Sequence, residues 1–369
     1  MNEIFDKVLQ AARKLGASDV HLKVGLPPVF RIRGVLRTLK DVPPVHGDVI
    51  MTFALNVMNE LQHERFAREL QVDLAYDAAD GNRYRVNVFR QRGETGMVLR
   101  IIPSDIPPFE RLNLPDRVRQ LAGEHRGLVL VTGVTGSGKS TSLASLLDVV
   151  NRERAAHIVT VEDPIEYVFT DRRSVVNQRE VGLDANTFAD ALRAALRQDP
   201  DVILVGEMRD FETIRTALLA AETGHLVFST LHTIDAKETV HRIIQMFPAD
   251  EQNAIRIQLA SILRAVVSQR LLPRVDGRGM IPAVEVLINT PRVRSLIEDP
   301  ARTGEIIDAI KDGKHPYGMI SFDQSLTELV QRKLITYETA LSAATNPEDF
   351  ALYFRGVSSG TDGPELEIE

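Results

Sequence analysis

The spacing of apolar and polar positions divides the chain into two stretches of different character. Near the start, Ile4, Phe5, Val8, Leu9 and Ala12 recur at helical intervals, which predicts an amphipathic first helix. Strand-like alternation follows over residues 28–36 and again over 83–89, where Arg83, Arg85 and Asn87 share one face and Tyr84, Val86 and Val88 the other. A turn over 91–96 leads into the apolar segment 97–102, which predicts a hairpin. From 101 to 110 no period persists, and Pro103, Pro107 and Pro108 punctuate the segment, as in a linker.

Beyond it the pattern changes. Short apolar runs at 128–132, 157–161, 202–205 and 226–230 alternate with helical periods at 139–153, 188–198 and 211–223. Strands alternating with helices predict an α/β unit, a mostly parallel sheet wrapped by helices, whose ligand crevice lies outside the carboxyl ends of the strands. The predicted organisation is an α+β domain over 1–100, a linker over 101–112, an α/β domain with C-terminal helices over 113–356, and a flexible acidic tail over 357–369.

Composition narrows the function classes. With 369 residues, 44% hydrophobic and 26% charged, the chain is long enough for two cores of its own. It contains no cysteine, which removes disulfides, zinc-thiolate sites and thiol nucleophiles and suits a reducing cytosol. No apolar run approaches the roughly 20 residues of a membrane span, and Glu3 and Asp6 interrupt what a signal peptide would keep apolar. A cytoplasmic protein without an integral membrane segment is therefore expected. The net charge of −7 argues against a general nucleic-acid binder.

The most specific motif follows the run at 128–132. Gly133, Val134, Thr135, Gly136, Ser137, Gly138, Lys139 and Ser140, followed by Thr141, match G-x-x-x-x-G-K-[S/T] without a gap. The glycines let backbone N–H groups converge on phosphate oxygens, and the helix that starts there directs its positive end at the same anion. Lys139 reaches toward the β- and γ-phosphates and Ser140 toward Mg²⁺, so ATP with Mg²⁺ is the expected ligand pair.

Hydrolysis also requires a carboxylate near the attacking water. Two strand ends offer one. The segment Glu162, Asp163, Pro164, Ile165, Glu166 carries three carboxylates in a proline-fixed turn, and the run VILV delivers Gly206 and Glu207. Gly206 stands where an Asp is usual in such an element, which leaves Glu207 to act on Mg²⁺ through water or on the attacking water itself. Asp163 suits either a turn brace or a metal contact. His225 and His232 flank the last run, and a neutral imidazole can donate to a γ-phosphate and register its loss. Arg85 and Arg100 belong to the first domain's hairpin, Arg100 within the apolar run MVLRII. They fit either a solvated sheet face or planar cations offered to a neighbouring active site.

These segments resemble a known family, the ring-forming ATPases of type II secretion and type IV pili. GVTGSGKST is similar to its Walker A box, TVEDPIEY to its aspartate box, ILVGEMRD to its Walker B box and TGHLVFSTLHT to its histidine box. SDVHL, NQREVG, GMISFDQSL and LITYETALSAATNPEDF resemble further family segments, the last two those of its retraction motors. The resemblance implies a PAS-like first domain, a RecA-like ATPase domain and a homo-hexamer. It also implies peripheral attachment at the inner membrane, a platform protein of the pilus machinery as partner, and ATP-driven pilus retraction. A pilus-assembly or type II secretion ATPase is the alternative within the family. Glu162, Glu166, Glu207, His225, His232, Arg85 and Arg100 would form the catalytic set, with Ser140, Glu207 and Asp163 around Mg²⁺. A P-loop alone would also suit a small-molecule kinase or a nucleotide-controlled docking protein.

Overall fold

The computed structural model describes residues 2–32, 34–38, 42–78, 82–102 and 105–356; the acidic tail expected over 357–369 lies outside the described residues. The chain divides into two compact units, Met1–Asp105 and Ile106–Glu369, each with its own sheet.

The first unit is an antiparallel sheet with helices on one face. Its strands are β1 (Ala17–Leu22), β2 (Val29–Ile32), β3 (Val35–Thr38), β4 (Gln71–Asp77), β5 (Arg83–Gln91) and β6 (Glu94–Ile102), in the order β3-β2-β1-β6-β5-β4. Phe5 and Leu9 of the helix Asn2–Lys14, Phe53 of Gly47–Val57 and Phe66 of Glu60–Glu69 pack with Val20, Val86, Val88 and Leu99 from alternate strand positions. The other sheet face carries the intervening polar residues, Asp19, Arg85 and Arg100 among them, as a period of two requires.

Two sequence expectations for this unit change. The run at 28–36 is two strands, because Ile32 pairs with Val35 around a reversal where Gly34 has φ 81°. Alternation cannot distinguish one strand from two when the turn takes only two residues. The hairpin turn expected over 91–96 is likewise only Arg92 and Gly93, with φ 52° and 83°. Both are in the left-handed region that two-residue hairpin turns use, so β6 starts at Glu94 and ends at Ile102, inside the segment read as linker.

The second unit holds a seven-stranded sheet made of β7 (Gly127–Thr132), β8 (His157–Glu162), β9 (Val175–Glu180), β10 (Val202–Val205), β11 (Leu226–Leu231), β12 (Leu263–Pro273) and β13 (Met280–Ile288). The order is β13-β12-β7-β11-β10-β8-β9, parallel throughout except for β13. β7, β10 and β11 are buried along their whole lengths, as expected for parallel strands covered on both faces. The predicted helix at 139–153 forms as Lys139–Glu153, whereas that at 188–198 ends at Ala195, short of Asp199 (φ 55°) and Pro200. Short helices after β13 enclose a separate small core of Leu326, Leu329, Ala340 and Phe350 against Leu272 and Ile281. The fold is the expected mixed one, an antiparallel α+β unit followed by an α/β unit with a mostly parallel sheet.

Candidate active site

β7 delivers the loop 133–138 at its carboxyl end, between β11 and β12. Gly133 has φ 142°, and a Cβ there would stand 2.5 Å from the Gln269 carbonyl oxygen and 2.6 Å from Ser137 Oγ. Only glycine fits so close an approach. Gly138 (φ 90°) caps the helix Lys139–Glu153, whose first N–H groups have no intrahelical partner and face whatever the loop encloses. Lys139 Nζ donates to the carbonyls of Gly133 (2.8 Å) and Val134 (3.0 Å). Burial lowers the pKa of this ammonium, while the charges of Glu166 and Glu207 work against that shift. Both carboxylates are therefore within electrostatic reach of the loop lysine. Ser140 is half-buried in the first turn, and Thr141 Oγ1 lies 2.9 Å from Tyr167 Oη.

The next strand end is built around Glu162. Its Oε1 accepts from Thr160 Oγ1 (2.7 Å) and Gln178 Nε2 (3.1 Å), and its Oε2 accepts the Glu166 N–H (3.4 Å). Burial pushes its carboxyl up from the ordinary range, opposed by the hydrogen bonds from Thr160, Gln178 and the Glu166 backbone and reinforced by the Glu166 charge. Glu162 thus braces the turn that contains the cis Asp163–Pro164 bond. The turn exposes Asp163 and Glu166. Glu180, opposite Glu162 in the β8–β9 register, accepts the Ile165 N–H at 3.2 Å and completes the brace.

β10 lies between β8 and β11 and ends at Val205, with Gly206 next in the chain. A Cβ on Gly206 would meet the Val161 carbonyl oxygen at 3.2 Å and Glu162 Cα at 3.3 Å, which is a physical reason for the missing Asp at this position. Glu207 Oε2 takes an ion pair from Arg209 Nε at 2.6 Å and stands 3.4 Å from His232 Nε2. His232 sits just past the carboxyl end of β11, on the same side as the loop. His225 does not. It precedes β11, its carbonyl accepts the N–H of Gly127 at the start of β7, and its Nδ1 lies 2.9 Å from the Ala220 carbonyl oxygen. One six-residue strand, about 20 Å, separates it from His232. Within its own chain His225 therefore lies at the amino-terminal ends of the strands, away from the loop.

Arg85 and Arg100 are paired across β5 and β6, both exposed, and Arg100 Nε donates to Asp19 Oδ1 at 2.9 Å. They belong to the first unit. Several site residues escaped the sequence reading. Gln178 and Glu180 lie on a strand too polar to stand out, although they alternate at period two. Arg209 follows Glu207 by two residues. Gln269, whose Nε2 donates to Ser142 Oγ at 2.8 Å, was visible as a polar residue in the apolar run AVVSQRLL.

The donor set fits Mg²⁺. A hydroxyl (Ser140) and a carboxylate (Glu207) are hard oxygen ligands, and Mg²⁺ on a nucleotide takes few protein ligands beside phosphate and water. Among the described residues no group of three or more His, Asp or Glu could hold a metal ion unaided.

The family described as Type II/IV secretion system protein matches residues 1–303. The chain belongs to that family. It is 44% identical to the type IV pilus retraction ATPase PilT of Pseudomonas aeruginosa, over 93% of this chain and 99% of that one. It is 44% identical to the twitching motility protein of Neisseria gonorrhoeae, over 88% of this chain and 86% of that one. A crystal structure of the pilus retraction motor PilT with bound ADP superposes with a TM-score of 0.86 at 46% identity, covering 93% of this chain and 97% of the other. Within the family this chain is an ATPase of the PilT-like kind. Among the described residues no helix is long and apolar enough to cross a membrane.

Proposed function

We propose that the chain is a motor that hydrolyses ATP in a hexameric ring to withdraw pilus subunits, acting from the cytoplasm on a platform protein in the inner membrane. The observation that carries this reading is the convergence of Lys139, Glu166, Glu207 and His232 around a phosphate-binding loop. Its context is a chain similar over nearly its full length to pilus retraction ATPases.

In this reading the N–H groups of 133–140 and the Lys139 ammonium hold the triphosphate. Ser140 would ligate Mg²⁺ directly and Glu207 through water, with Asp163 at the rim. The ion, when bound, neutralises charge on the β- and γ-phosphate oxygens. Glu207 is the better candidate to orient the attacking water, since it is largely buried and fixed by Arg209, while exposed Glu166 tunes the Lys139 charge. Glu162 acts through the turn it braces. His232 is placed to donate to the γ-phosphate and to transmit its departure to Glu207. Arg85 and Arg100, from the first unit of a neighbouring copy, are the candidates for planar cations on the γ-phosphate, a role that can be worth on the order of 10³–10⁵ in rate.

Purified protein should hydrolyse ATP with Mg²⁺ as an oligomer, and Lys139→Ala should lose both binding and turnover. Full turnover by a monomer in gel filtration with light scattering would overturn the ring. Deleting the gene in a piliated host separates directions of work: cells with surplus pili that cannot twitch indicate retraction, and bald cells an assembly motor.

A further inference from the structure

Glu285 lies in the middle of β13, only 5% exposed, in a part of the second unit that the reading above does not use. Its Oε1 accepts the N–H of Ala236 at 2.8 Å. Ala236 opens the helix Ala236–Gln245, four residues after His232. The residues between are tied into one knot. Thr233 Oγ1 is 2.6 Å from Thr239 Oγ1, the Ile234 N–H donates to Glu238 Oε2 at 3.0 Å, and Asp235 Oδ1 accepts the Glu238 N–H at 2.7 Å. Thr239 Oγ1 also donates to the Asp235 carbonyl at 2.7 Å. The knot is bound to itself, and the Glu285 hydrogen bond fixes it to the sheet.

We propose that Glu285 is a positioning residue for nucleotide hydrolysis: by gripping the first turn of the helix Ala236–Gln245 it sets where His232 stands against Glu207. This rests on the reading of His232 as a γ-phosphate partner. The first N–H groups of a helix have no intrahelical acceptor. Asp235 serves Glu238, which leaves the Ala236 N–H to a side chain from the sheet. A neutral acceptor would satisfy it; a carboxylate adds attraction to the positive helix end.

The groups facing Glu285 are Arg270 on β12, Asp235 before the helix and Asp323 in the first turn of the helix Phe322–Gln331. Arg270 turns much of its guanidinium elsewhere. It donates to the Ala343 carbonyl and to Thr345 Oγ1 (2.7 Å) and lies 3.8 Å over the Phe322 ring. Burial pushes the Glu285 carboxyl up to about 7, against the Ala236 N–H and the Arg270 charge and together with Asp235 and Asp323. The side chain therefore changes charge near neutral pH, and its hold on the helix strengthens as the proton leaves.

The test is steady-state ATPase kinetics of the full chain between about pH 6 and 8, with thermal melts as a check on folding. Glu285→Ala should lower kcat roughly tenfold with little change in KM, as a displaced catalytic group does. Glu285→Gln keeps an acceptor in place. It should restore most of kcat while flattening the rise in kcat through neutral pH that the parent shows. A folded Glu285→Ala protein with parental kcat overturns the inference. If that variant does not fold, a Glu285→Gln pH profile identical to the parent's overturns it instead. His232→Ala separates the two layers. Parental turnover in His232→Ala removes the reading beneath, whereas impaired His232→Ala beside unimpaired Glu285→Ala removes the inference alone.

Discussion

Asp19 on β1 and Arg100 on β6 stand directly opposite each other in antiparallel register, joined by Arg100 Nε to Asp19 Oδ1 at 2.9 Å. This pair explains an arginine inside an apolar run: Arg100 alternates with Leu99, which faces the helices, and reaches a carboxylate on the polar face. Arg31, 3.7 Å from Asp19 Oδ2 on β2, continues the row. Burial pushes the Asp19 carboxyl up, but the hydrogen bonds from Arg100 and Ser18 and the charges of Arg100 and His21 hold it below the ordinary range.

Removing Arg100 leaves that carboxylate with the Ser18 hydroxyl at 2.8 Å and the longer Arg31 contact. Arg100→Ala should destabilise the first unit by about 1 kcal/mol, a modest figure because the guanidinium is largely in water. Because the folded pKa of Asp19 is depressed, its contribution is present above the unfolded value near 3.8 and is lost as pH falls through the folded value. Urea titrations of parent and Arg100→Ala near neutral pH and near pH 3 would check both statements, since the difference between them should shrink in acid.

Lys139→Ala should reduce ATP turnover by at least about 10²-fold, the usual effect of deleting a preorganised donor to developing phosphate charge. The melting temperature without nucleotide should barely fall, because Nζ bonds only to two loop carbonyls. Nucleotide-dependent thermal shifts check this: the parent should be stabilised by ATP with Mg²⁺ and the variant should not.

Gly206→Asp would install the carboxylate usual in such a strand end, and it should be harmful. The new Cβ would lie 3.2 Å from the Val161 carbonyl oxygen and 3.3 Å from Glu162 Cα, forcing β8 and β10 apart. A loss of about 1–3 kcal/mol is expected from such overpacking, together with lower turnover as Glu162 shifts. Denaturant midpoints and kcat should both fall; unchanged midpoints would show that the strands yield freely.

Glu285 predicts a stability trend opposite to that of Asp19. Its pKa is raised in the folded state, from 4.5 to about 7, so folding takes up a proton in that interval. The associated stability is complete below the unfolded value and is lost as pH rises through about 7. Glu285→Gln, which cannot ionise, should flatten this fall. Urea midpoints measured across the interval would show it.

The sequence made the loop and its neighbours legible because their determinants are local. Helix Lys139–Glu153 starts at a glycine cap, and β10 is a four-residue apolar run closed by Gly206. β9, β12 and β13 were not read, for different reasons. β9 is an edge strand whose outward residues are polar, and the β12–β13 hairpin continues a helix without proline or glycine to announce the change. The two histidines show the limit best. They belong to one sequence box, yet a parallel strand delivers only its carboxyl end to the crevice, so direction in the sheet decides which one meets Glu207. The role of Glu162 as a brace is likewise hidden in the sequence, because Gln178 reaches it only through the pairing of β8 with β9.

The close fit at Gly133 is made against β12. The loop starts where the β12 backbone leaves no room for even one added carbon, and one residue farther along β12 lies Arg270, fastened to the C-terminal helices. The mouth of the phosphate cradle and the seat of the C-terminal helices are thus adjacent residues of one strand, Gln269 and Arg270, whose side chains alternate between the two.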